Sequence, residues 1–226
     1  MNKYFQYAVW LAALSVALPS LLRAEAVRVA SFSAAEVKAW EPHVFSKATR
    51  YSLVKQSNGD DLLAAQCQDS ASALVLRQKI DLHQTPYLSW SWRVQDVFDG
   101  LDEKQKSGDD FAARVYVVID GGLLPWKSRA INYVWSSSHP VGSNWENPYA
   151  PEQVRMVAVR SGPPTESGMM NEVRNVREDF RELFGMDVDS IDAVAIMTDC
   201  DNSDAEALAW YGTLQFEPTR QARLLP

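Results

Sequence analysis

The sequence predicts an all-β fold, a jelly-roll or galactose-binding-like β-sandwich with one covering α-helix. Three observations carry this. The apolar segments are short, rich in Val, Ile, Tyr and Trp, and separated by Gly, Pro, Asn and Asp. The stretch "PYLSWSWRV" alternates strictly, with Leu88, Trp90, Trp92 and Val94 on one side and Ser89, Ser91, Arg93 and Gln95 on the other. Helical spacing stands out in one stretch, "SGMMNEVRNVREDFRELFG".

The chain has 226 residues. Lys3 precedes an apolar run from Tyr4 to Leu22, and small residues follow at Ala24 and Ala26. That order of charge, apolar core and small residues is a secretory signal peptide. Residues 1–24 are therefore read as a signal, with cleavage after Ala24 or Ala26, and 25–226 as a single domain. The core from Tyr7 to Leu18 is shorter than the roughly 20 residues a span requires, so no stable membrane span is expected after cleavage. Localisation is expected to be periplasmic or secreted.

Loss of residues 1–24 removes Lys3 and Arg23, which leaves 20 basic and 29 acidic residues and a net charge of −9. Such a chain repels phosphates, and no basic cluster offsets the repulsion, so no nucleic-acid partner is expected. Cys67 and Cys200 either pair in an oxidising compartment or remain two small buried thiols.

Strands are predicted near 27–33, 50–56, 61–68, 73–82, 87–95, 111–119, 130–137, 154–160, 191–198 and 209–217. "NGDD" at Asn58–Asp61 marks a hairpin between the second and third. In the helical stretch, Val173, Val176, Phe180, Leu183 and Phe184 share one face, Arg174 and Glu178 pair outside, and Gly185 ends the helix in the left-handed conformation. The loops Gly121–Arg129 and Ser138–Glu152 carry aromatics that solvated loops do not need: Trp126, Trp145 and Tyr149.

The strand at 111–119 holds a contradiction, because charged residues sit at or inside it. Alternation puts Phe111, Ala113, Val115, Val117 and Ile119 on an apolar face with Asp109 at its edge. Asp110, Ala112, Arg114, Tyr116 and Val118 take the other face. If this strand pairs with the preceding one, Arg93, Asp110, Arg114 and Tyr116 share a polar surface that Asn132 joins. Asp199 and Asp201 follow the apolar strand 191–198 and can partner the arginines. One outcome is a structural Arg–Asp network, since a buried unpaired charge is costly. The other is a ligand site made of Arg93, Asp109, Asp110, Arg114, Asn132, Asp199 and Asp201, with Trp126, Trp145 and Tyr149 as a stacking rim.

Polar groups beneath aromatic rings suit a saccharide. The leading expectation is a non-catalytic module for a carbohydrate or cell-envelope ligand. One alternative is a glycoside hydrolase or lyase using paired aspartates. Another is an envelope protein–protein interaction domain. No cofactor is expected, although Asp199, Asp201, Ser203 and Asp204 imitate the start of a calcium loop. The sixth and twelfth positions of that loop hold Asp204 and Trp210 in place of the usual Gly and Glu. No G-x-S-x-G, H-E-x-x-H or P-loop occurs.

Taken in succession, "SASALVL", "LSWSWRV", "GDDFAARVYVV", "INYVW", "NVREDFRELFG", "AIMTDCDNS" and "WYGTLQF" resemble a bacterial family of exported proteins, the domain-of-unknown-function family three thousand and forty-seven. The resemblance covers about residues 28–217. It implies a periplasmic or secreted single domain with no established activity. The segment Asp199–Cys200–Asp201–Asn202, followed by Trp210–Tyr211–Gly212, is similar to the closing strands of galactose-binding-like sandwiches.

Overall fold

The computed structural model describes residues 24–56, 61–203 and 205–220. Most of the predicted signal segment, Asn58 to Asp60 of the predicted hairpin turn, and Asp204 lie outside them. The strands are β1 (Val27–Ala30), β2 (Glu41–Val44), β3 (Arg50–Lys55), β4 (Asp61–Gln68), β5 (Ala71–Asp81), β6 (Tyr87–Val94), β7 (Arg114–Ile119), β8 (Arg129–Ser136), β9 (Asn144–Glu146), β10 (Val154–Ser161), β11 (Met170–Asn175), β12 (Ser190–Asp199) and β13 (Glu206–Glu217). Two helices, α1 (Ala34–Val37) and α2 (Val176–Phe184), accompany them.

The strands form two sheets packed as a sandwich of the predicted jelly-roll class. The first runs β11-β6-β13-β4-β3, with β1 on the far stretch of β13. The second runs β2-β5-β12-β7-β8-β10-β9. β8 and β10 are parallel, and the other pairings are antiparallel. Period-2 alternation makes the core. Trp90 and Trp92 project inward from β6 and meet edge to face, with centroids 5.4 Å apart. Trp90 reaches Tyr133 of the facing sheet at 5.4 Å, and Trp92 reaches Trp135 at 5.9 Å. Each such pair adds about 0.5–1.5 kcal/mol beyond its buried area.

The predicted helix begins later than its apolar spacing suggested. Val173 belongs to β11, which pairs with β6. Asn175 then caps α2, its side chain accepting the Glu178 N–H at 3.2 Å. Val176 and Phe180 enter the core, and Gly185 ends the helix at φ 67°. Arg174 bonds Asp179 through Nε at 2.9 Å, while Glu178 pairs with Arg181, so the expected Arg174–Glu178 pair does not form. The short edge strands β2 and β9 had no period to betray them. Helix α1 is a single turn held by a capping box between Ser33 and Glu36.

Cys67 and Cys200 are joined as a disulfide. It ties β4 of one sheet to the end of β12 of the other across a sequence separation of 133 residues. A loop of that length restricts the unfolded chain by about 4–5 kcal/mol in the chain-entropy model. Among the described residues, no helix is long and apolar enough to cross a membrane.

Candidate functional site

The outer face of the second sheet carries most of the charged residues of the sequence reading, all but Arg93. Its central strands are β5, β12 and β7, aligned so that Ala73, Met197 and Arg114 lie side by side. Arg114 is the first residue of β7. Residues 109–113 before it are irregular, so alternation does not extend back through them. Phe111 therefore turns to the outer side, against Val134, Trp145 and Met156, and the expectation of Phe111 on the core face is corrected.

Arg114 is 2% exposed and engages every group in reach. Its Nε donates to Asp199 Oδ1 at 2.7 Å, and its Nη2 donates to Asp199 Oδ2 and to the Asp109 carbonyl. Nη1 donates to the Tyr116 hydroxyl at 3.3 Å and lies 3.6 Å from Asp109 Oδ2. The guanidinium also sits 4.4 Å from the Phe111 ring centroid. Asp199 Oδ1 accepts the Phe111 N–H at 3.2 Å, which pins the irregular segment to β12.

A second layer surrounds this pair. Asn147 donates from Nδ2 to Asp109 Oδ2 at 3.2 Å, and its Oδ1 accepts the backbone N–H groups of Tyr149 and Ala150. Asn202 donates to Asp110 through its backbone at 3.0 Å and through Nδ2 at 3.1 Å. The Tyr149 hydroxyl lies 3.1 Å from the Lys106 carbonyl and 3.3 Å from Asn202 Oδ1. Asp109, Arg114, Asn147, Asp199, Asp201 and Asn202 line an open cavity of about 400 Å³, with Phe45 and Tyr149 at its margin, 64% and 55% exposed.

Carboxylates outnumber cations here. Burial pushes the Asp199 carboxyl up to about 8; Arg114 pulls it back, and Asp109 and Asp110 add to the rise. Burial also raises Asp109 against the pull of Arg114, and it raises Asp201, with Asp110 reinforcing the rise. Burial opposes the Arg114 charge, but Asp199, Tyr116 and Asp109 hold its pKa well above the usual value. Burial pushes the Tyr116 phenol up to about 12, with Arg114 opposing. Asp110, Asp199 and Asp201 each place an oxygen within 4.8 Å of the others. A hard cation could sit among them only in competition with Arg114, which already holds Asp199.

Of the residues singled out by sequence, Asp109, Asp110, Arg114, Tyr149, Asp199 and Asp201 come together. Arg93 does not. β6 and β7 do not pair and lie in different sheets, because the connection between them crosses the sandwich. Arg93 instead stacks 3.9 Å over Trp210 and donates to the Ser167 carbonyl. Trp126 sits in the loop before β8, 63% exposed and outside the cavity lining. Trp145 is 8% exposed and stacks against His139 at 4.7 Å, its indole N–H donating to the Glu103 carbonyl. It supports the floor and forms no rim. Asn132 shares the face opposite Tyr116 but is fully buried, bonded to Met156 Sδ. Asn147, Asn202 and Phe45 were not anticipated. "ENPY" was a turn signal and "DCDNS" a polar run, whereas nothing marked Phe45.

Comparison with known proteins gives a family and a fold. The chain matches the family described as protein of unknown function (DUF3047) over residues 38–215, and it belongs to that family. A search of the curated proteins found no match. Among solved structures, it is similar to the glycoside hydrolase domain of Endo-D from Streptococcus pneumoniae (10% identity, 80% of this chain, TM-score 0.41). The chain spans 22% of that protein's length. It is similar to a low-affinity xylan-binding module from Roseburia intestinalis (14% identity, 86% of this chain and 95% of the other, TM-score 0.36). It is also similar to the xyloglucanase domain of the effector NopAA from Sinorhizobium fredii (11% identity, 80% and 93%, TM-score 0.43).

Proposed function

We propose that this member of the DUF3047 family is an exported, non-catalytic saccharide-binding module. Its ligand lies on the outer face of the second sheet, over Arg114 and the surrounding aspartates. The single observation that carries the reading is the form of the cavity: a fixed polar floor under an exposed aromatic margin. A sugar ring presents hydroxyls at set angles and an apolar C–H face. Asp201 offers carboxylate oxygens, one of them steadied by the Asn202 amide, while Asn147 and Asn202 fix the shape of the floor through their bonds to Asp109 and Asp110. The Tyr149 ring is held by its own hydroxyl, so little side-chain freedom is lost on stacking. A concave site of this size suits a small polar ligand, where a protein partner would favour a flat patch.

The excess of carboxylates selects among saccharides. Chains of uronic acids meet like charge and are disfavoured, whereas neutral and amino sugars are not. Export is supported by the signal-like leader and by the disulfide, which fits an oxidising compartment.

The hydrolase reading has one observation in its favour, a carboxyl raised to about 8 in a cavity. Against it, both Asp199 oxygens already accept from Arg114, and both Asp110 oxygens accept from Asn202. Neither is free to attack or protonate a glycosidic bond. Isothermal titration with cello-, xylo-, chitosan and galacturonan oligosaccharides, with a reducing-sugar assay on the same samples, tests both readings. Binding of a neutral or amino saccharide without new reducing ends is the expected result. Heat with the galacturonan alone, or steady release of reducing ends, overturns the proposal.

A further inference from the structure

We infer that the site takes a linear saccharide about four residues long, laid along the strands. This rests on the saccharide-binding reading above and specifies its ligand. The argument begins with a second cavity of about 290 Å³ on the same face. It shares Phe45, Tyr116 and Met197 with the first, so the two adjoin in line along the sheet, and we treat them as one trough.

The sequence explains the trough. Where β5 and β12 face outward, they carry Ala71, Ala73, Ala193 and Ala195, side chains too small to fill the surface. The registers Ala73–Met197–Arg114, Val75–Ala195–Tyr116 and Arg77–Ala193–Val118 lay successive rungs of this floor along the strands. His43 and Phe45, their rings in contact at 4.6 Å, stand at one wall. Tyr116 and Val118 line the other. The trough thus runs parallel to β12. It runs from the Arg114–Asp199 end to Arg77 and Asp120, whose side chains meet at 3.3 Å across it.

Six steps of chain separate Arg114 from Asp120, a length of about 20 Å at the rise of a β-strand, which matches about four pyranose units of about 5 Å each. Polar groups occur at both ends and an apolar floor lies between. That pattern fits a chain whose middle units rest on the alanines while its outer units bond charged side chains.

The test is a chain-length series by titration calorimetry, using cello- and chitosan oligosaccharides of one to six units. Affinity should rise at least tenfold from the disaccharide to the tetrasaccharide, then level off. In the R77A/D120A variant, with folding checked by its melting temperature, the tetrasaccharide should weaken about tenfold while the disaccharide is unchanged. Equal affinity for two, four and six units overturns the inference and leaves the binding reading intact, as does a double variant with the wild-type length profile. No binding at any length overturns the binding reading itself.

Discussion

Replacing Arg114 by Met probes the centre of the site directly. The guanidinium lies within ion-pair distance of both Asp109 and Asp199, and the side chain is 2% exposed. Met keeps much of the volume but removes the charge and the hydrogen bonds. Two buried carboxylates then face each other without a counter-charge. Removing one partner of a buried pair costs about 3–5 kcal/mol. A domain of 150–250 residues shifts its melting temperature by about 2–4 °C per kcal/mol, so the expected fall is about 6–20 °C. Protonation of the orphaned carboxyls relieves the repulsion, and the fall should therefore be at least halved at about pH 4.5 relative to pH 8. Differential scanning calorimetry of wild type and R114M at both pH values measures this. A fall under about 3 °C at pH 8, or an equal fall at both, would refute the reasoning.

Other predictions follow from the same geometry. Asp199 has a folded pKa of about 8, above its unfolded one, so its contribution is full below the ordinary carboxylate range and is lost as pH rises toward about 8; Asp109, also raised by burial, acts in the same direction. Stability should decline across that window by up to about 1.4 kcal/mol per pH unit per proton, and D199N should flatten the slope in a melting-temperature profile. The double variant C67S/C200S should lose about 4–5 kcal/mol in denaturant unfolding, and it should also weaken ligand binding because Asp199 adjoins the bridge. Tyr149→Ala should leave the melting temperature within about 2 °C, since exposed substitutions cost little, yet weaken saccharide binding about tenfold in calorimetry. Trp145→Ala should do the reverse in emphasis, losing about 3–5 kcal/mol of stability as a buried aromatic.

Much of this was legible from sequence because a buried sheet imposes a period of two. Leu88, Trp90, Trp92 and Val94 could hardly be anything but one face of a strand. β2 was not legible, because Glu41 to Val44 are all exposed and show no alternation. The start of α2 was misplaced because Val173 and Val176 keep helical spacing while β6 captures the first of them as a strand partner. Within the site, Asp109, Asp110 and Arg114 were visible as charges against an apolar strand, and Asp199 and Asp201 as charges at the end of one. Arg93 was misassigned because strands adjacent in sequence usually pair. Here residues 95–113 carry the chain to the opposite sheet. Trp145 and Tyr149 looked equivalent, yet one packs inward on His139 and Phe111 while the other stays at the cavity margin. Loop sequence does not encode that difference, because the direction of each side chain is set by tertiary contacts.

The claim that a saccharide occupies the outer face of the second sheet is tested most directly by hydrogen–deuterium exchange with and without saturating cello- or chitosan tetrasaccharide. Exchange should slow in 71–77, 109–120 and 193–202, and remain unchanged around Arg93 and Trp210 on the first sheet. Slowing confined to the first sheet, or no slowing with either ligand, would contradict it.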